Sequence, residues 1–133
     1  MSRHGRNRVL RRAAFKSGLW GERLACAFLT FKGYHILVHR FRCPVGEIDL
    51  IAQRGKTIVF VEVKYRASEA IALESLRPRQ RQRIIKAAKY WLSRRRGIGG
   101  FDHRFDLVVM DSRFRLRHIQ NAFCETELHD TTV

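Results

Sequence analysis

Residues 46–64 read GEIDLIAQRGKTIVFVEVK, and the fold follows from how these nineteen letters alternate. Two apolar runs, Glu47 to Gln53 and Thr57 to Tyr65, flank Arg54-Gly55-Lys56. A two-residue loop with glycine in its first position makes them an antiparallel hairpin in which paired residue numbers sum to 111. Side chains alternate across a strand, so Val59, Val61 and Val63 take one face and Phe60, Glu62 and Lys64 the other. The register sets Asp49 opposite Glu62 and Glu47 opposite Lys64, and four charged side chains then converge on one face.

Carboxylates facing each other across a hairpin repel by a few tenths to about 1 kcal/mol even when exposed. A hard divalent cation, Mg²⁺ or Mn²⁺, would compensate, because such ions take oxygen ligands and use one or two carboxylates with water and phosphate. Asp49 and Glu62 are therefore candidate metal ligands and catalytic carboxylates, with Lys64 beside them to orient a water or stabilise negative charge, and Glu47 as a supporting group. The chemistry that uses these parts is metal-assisted hydrolysis of a phosphodiester. The competing reading is that the same four residues are merely the polar face of a two-stranded ladder.

Upstream, Phe15 to Phe31 has helical periodicity, with Trp20, Leu24, Ala27, Phe28 and Phe31 as the expected core stripe and Gly33 as the stop. The other side carries Leu19, Ala25, Cys26 and Leu29, which predicts a helix packed on two sides. Glu22 projects from that second side. Tyr34 to Arg42 reads as a strand ended by Cys43-Pro44-Val45-Gly46.

Downstream, residues 66–76 read as a loop, and Pro78 stands where a helix starts. The helix from Arg79 to about Arg95 has a core stripe of Ile84, Ile85, Ala88, Trp91 and Leu92. Arg79, Arg83, Lys86 and Lys89 line its other face as candidate nucleic-acid contacts. Arg104 to Met110 and Arg113 to Ile119 read as a last strand pair around Asp111-Ser112, with Asp106 structural. A frayed polar tail, residues 124–133, is expected after Phe123.

At 133 residues and 45% hydrophobic, the chain is long enough for one domain with a real core, here residues 15–123. No stretch approaches the roughly 20 apolar residues of a membrane span, and no secretory signal opens the chain, so a cytoplasmic protein without a membrane partner is expected. Cys26, Cys43 and Cys124 make neither a disulfide framework nor a zinc knuckle, and the six histidines show no metal-binding spacing. The net charge of +15 points to nucleic acid ahead of an anionic membrane surface. Residues 1–14 are read as a disordered basic arm whose Arg11 and Arg12 could hold phosphates. RNA is a further possible substrate, although the aromatic stacking signatures of single-strand RNA modules are missing.

The order of motifs is more specific than any one of them. Gly21-Glu22, Gly46-Glu47-Ile48-Asp49-Leu50-Ile51-Ala52, Phe60-Val61-Glu62-Val63-Lys64, Arg104-Phe105-Asp106 and Asn121-Ala122-Phe123 together resemble the YraN family of small bacterial proteins. That family is similar to archaeal Holliday junction resolvases within the restriction-endonuclease-like superfamily. The resemblance implies an α/β fold with a central mixed sheet flanked by helices, and a D...ExK set of Asp49, Glu62 and Lys64. It further implies that Glu22 joins the metal site, that the partner is DNA, plausibly branched, and that the protein acts as a homodimer. Where relatives commonly carry lysine, this chain has Gln80, expected to be a supporting residue or a simple helix start. The activity implied is a metal-dependent endonuclease on branched recombination or repair intermediates. The alternative is a non-catalytic nucleic-acid-binding protein with a nuclease-like fold.

Overall fold

The computed structural model describes residues 20–125. The basic arm with Arg11 and Arg12, the first residues of the expected opening helix and the end of the polar tail lie outside the described residues. The first element is helix α1, residues 20–31 as described. It is followed by β1 (His35–Cys43), β2 (Gly46–Arg54), β3 (Thr57–Tyr65), α2 (Glu69–Ser75), α3 (Pro78–Ser93), β4 (Asp102–Met110) and β5 (Leu116–Phe123).

The strands form one sheet in sequential order. All neighbours are antiparallel except β3 and β4, which run parallel with Glu62 beside Leu107 and Lys64 beside Val109. A parallel pair needs a long crossover, and α2 and α3 supply it. The result is the expected α/β architecture, a restriction-endonuclease-like mixed sheet covered by helices on both faces. No helix of the described residues is long and apolar enough to cross a membrane.

Two cores follow from strand alternation. Phe60, Phe105, Leu107 and Val109 pack with Ile84, Ile85, Ala88 and Trp91 of α3. Val59, Val61, Val108 and Leu50 pack with Ala25 and Leu29 of α1. The α3 stripe is buried as periodicity predicts, and Arg79, Arg83, Lys86 and Lys89 are exposed.

Four local expectations are corrected. In α1 the buried side is Gly21, Ala25 and Leu29, whereas Trp20 is 56% and Phe31 92% exposed. Small residues one turn apart let the helix lie close on the valine face of β3, so the flatter side wins over the more aromatic one. Residues 66–76 contain α2 rather than only a loop, because the Ser68 hydroxyl accepts the Ile71 N–H at 3.2 Å and caps a new helix. The last strand starts at Leu116 and not Arg113, because the Asp111 carboxylate accepts the N–H groups of Arg113 and Arg115 at 2.8 and 3.0 Å and draws them into the turn. The fourth lies at the far end of the β2–β3 ladder, where the candidate acids sit.

Candidate active site

The β2–β3 hairpin has the register its glycine turn dictates, from Arg54–Thr57 to Leu50–Val61, with Gly55 at φ +59°. There the backbone ladder stops. Ile48 and Ile51 lie in the same core although they are three apart, as do Val38 and Phe41 on β1. Strict alternation would place each pair on opposite faces. Both strands therefore change phase at Arg40 and Asp49, and Arg40 takes a left-handed φ of +56°.

This kink turns the Asp49 carboxylate toward β3, where it accepts the Val63 N–H at 2.8 Å. Asp49 thus meets Glu62 through side chains instead of as a backbone pair. The expected Glu47–Lys64 pairing does not form. Glu47 faces Arg42 across β1 at 3.8 Å in an exposed contact, because the two strands have already diverged at that level.

Lys64 stays next to Glu62, with its Nζ 3.5 Å from Glu62 Oε1. Gln80, from the first turn of α3, joins them. Its amide donates to Glu62 Oε1 at 2.9 Å, and its Oε1 accepts from Lys64 Nζ at 3.2 Å. An amide has both a donor and an acceptor, so one side chain bridges the acid and the lysine. The sequence placed Gln80 near the site but gave no reason for this bridge. Gly46 supplies it, because a Cβ there would overlap the Arg83 carbonyl. Only glycine lets α3 come that close to the start of β2, and the approach carries Gln80 onto Glu62.

The electrostatics are those of an uncompensated pair. Burial raises the Asp49 pKa above its ordinary value, and the charge of Glu22 adds to the rise, against the opposing pull of the Val63 N–H and Lys64. Burial and then the Asp49 charge push Glu62 up to about 8, with Lys64 resisting. A side-chain hydrogen bond links the two acids, lowering Asp49 and raising Glu62. That bond favours the proton on Glu62 over Asp49.

The pair opens into a cleft of about 410 Å³ lined by Glu47, Asp49, Glu62, Gln80, Arg79 and Arg83. Glu22 lines a further hollow together with Asp49, Glu62 and Lys64. Its carboxylate accepts from Arg40 Nε at 2.8 Å, and it lines a neighbouring hollow with Asp49. Among the described residues no three His, Cys, Asp or Glu side chains are gathered closely enough to hold a metal by themselves. Two adjacent, mostly buried carboxylates that repel each other when both are ionised nevertheless fit Mg²⁺ or Mn²⁺, which keep waters and need few protein ligands. Cys26, Cys43 and Cys124 form no disulfide.

A second acid, Asp106, sits on the α1 side of the sheet, fully buried. Arg104 donates to both its oxygens at 2.8 Å, the Asn121 N–H donates at 2.9 Å and His118 Nε2 lies at 2.6 Å. Its carboxylate has a structural partner for every approach.

Residues 21–110 match Uncharacterised protein family UPF0102. A UPF0102 protein of Maricaulis maris is 50% identical over 75% of this chain and 79% of its own length. One from Rhodopseudomonas palustris strain BisB5 is 47% identical over 84% and 85%. A third, from Nitrobacter winogradskyi, is 46% identical over 86% of this chain and 97% of its own length.

Proposed function

The chain belongs to the UPF0102 family, also called the YraN family, and from that premise we propose that it is a metal-dependent endonuclease hydrolysing phosphodiester bonds in DNA. The observation that supports this reading is the Asp49–Glu62 pair, buried side by side and raised in pKa, in a cleft flanked by arginines. A pair needed only for the fold would be neutralised by a neighbour, as Asp106 is.

Asp49 and Glu62 would hold Mg²⁺ or Mn²⁺, which when bound polarises the scissile phosphate and acidifies a water. Glu62 must release its proton before it can act as a ligand, so loading improves as pH rises toward and beyond about 8. Lys64, steadied by Gln80, would direct the attacking water or stabilise charge on the phosphorane oxygens. Glu22, now paired with Arg40, is a reserve carboxylate facing the Asp49 side. Arg79 and Arg83 at the cleft, with Lys86 and Lys89 further along α3, would take the flanking phosphates.

The test is cleavage of labelled four-way, forked and linear DNA with Mg²⁺ or Mn²⁺, beside Asp49→Asn and an EDTA control. Metal-dependent cutting that disappears in the variant is the expected result. Tight binding to every substrate without cutting would overturn the nuclease and leave a nucleic-acid-binding protein.

A further inference from the structure

The β4–β5 turn, residues 111–115, carries Phe114 at its tip, 58% exposed and at a left-handed φ of +61°. A phenylalanine in that region is sterically disfavoured. Here the backbone is locked around Asp111. Its carboxylate accepts from the Arg113 and Arg115 N–H groups, its N–H donates to the Arg115 carbonyl at 3.1 Å and its carbonyl accepts the Phe114 N–H at 3.1 Å. The nearest acid is thus committed to the turn, while Arg113 and Arg115 flank Phe114 in sequence as exposed cations and Arg117 beyond them lies 3.6 Å from Glu69.

Position matters as much as composition. β4 runs parallel to β3, with Glu62 beside Leu107 and Tyr65 beside Met110, the residue before the turn. The root of the turn is three residues beyond Glu62, about 10 Å at the strand rise, or about three base steps along a strand. Tyr65, 40% exposed, lies at the same end.

We infer that the β4–β5 turn is a second nucleic-acid contact, in which Phe114 inserts against an unstacked base at a fork or junction while Arg113 and Arg115 hold the adjacent phosphates. An exposed ring on a hydrogen-bonded turn, with an arginine on either side of it in the chain, suits stacking on a base better than burial against protein, because any base offers a π-face and the phosphates complement the arginines. The inference rests on the DNA reading above and supplies its preference for branched over linear duplex.

The probe is a fork with 2-aminopurine at the branch point, titrated in EDTA with full-length Asp49→Asn protein so that cutting is not needed. The 2-aminopurine should brighten on binding. Adding Phe114→Ala should abolish the brightening and weaken fork binding about tenfold, leaving linear duplex within about twofold. Phe114→Trp should retain both properties, and Arg113→Ala with Arg115→Ala should weaken fork and duplex alike. Unchanged brightening in Phe114→Ala, or equal loss on fork and duplex, would overturn the wedge. Because Phe114 is exposed, thermal melting of Phe114→Ala should match its parent. A wild-type protein that brightens the fork but never cuts would sink the nuclease alone, and one that cuts without needing Phe114 would sink the wedge alone.

Discussion

Asp106, fully buried, and the partly buried Asp49–Glu62 pair are acids of the same sheet, and their surroundings move them in opposite directions. Burial pushes Asp106 up, but bonds from His118, Arg104 and the Asn121 N–H outweigh it and hold its pKa below the ordinary value. At the pair, burial and mutual repulsion act together, and one lysine, one amide and one N–H do not offset them. The charge of Asp106 is compensated by its neighbours, whereas the charges of Asp49 and Glu62 are not. Asp106 is the more deeply buried yet has the lowered pKa, so the sum of partners and not burial sets the direction.

The largest effect should come from removing Asp106. Asp106→Ala leaves Arg104 and His118 without their carboxylate, and breaking such a buried pair costs about 3 to 5 kcal/mol, measurable by urea unfolding. Asp49→Asn should instead unfold at the same or higher urea concentration, because repulsion is relieved. Equal destabilisation by both substitutions would break the distinction.

Next is catalysis. Asp49→Asn or Glu62→Gln should reduce cleavage by about a hundredfold to a thousandfold or more, whereas a conservative Asp106→Asn should lower protein yield before it lowers the rate of folded molecules.

Gln80→Leu removes the bridge between Glu62 and Lys64, and the loss of a hydrogen-bond partner by each should cost about 1 to 3 kcal/mol, read as a fall in kcat/KM. Gly46→Ala should produce a similar deficit by pushing α3 away from β2. Unaltered kcat/KM in Gln80→Leu would reduce the amide to packing.

The pH dependence sharpens the contrast through its sign. Glu62 binds its proton more tightly folded than unfolded, so the native state holds more protons from about 4.5 to about 8, and stability falls as pH rises through that window. Asp106 is depressed, so its stability is present above its unfolded value and is lost as pH falls through the folded one. Thermal melting between pH 5 and 9 should slope downward in wild type and flatten in Glu62→Gln. Mg²⁺ should raise the melting temperature more at pH 8.5 than at pH 5.5, and not in Glu62→Gln.

The smallest change in stability is expected at Arg79 and Arg83, which are exposed. Alanine there should stay within about 0.5 kcal/mol in unfolding. In DNA titrations over a range of salt, each arginine that neutralises a phosphate should contribute about 0.9 to the slope of log affinity against log salt, and its alanine variant should be shallower by that amount.

The sequence by itself determined the hairpin, its register near the turn, the face shared by Phe60, Glu62 and Lys64, the α3 core stripe and the identity of the acids. These follow from short-range geometry: a glycine that accepts positive φ, a side-chain period of two in strands and of 3.6 in helices. The expectation that Asp106 is structural came from its place on β4, where the bonds from Arg104, His118 and Asn121 were not legible. Tertiary structure alone decided which side of α1 is buried, the phase change at Asp49, the loss of the Glu47–Lys64 pairing and the arrival of Gln80 on Glu62. Each depends on how closely two distant segments can approach, as at Gly46 and Arg83. No local period encodes that distance, because it is set by packing across the whole sheet.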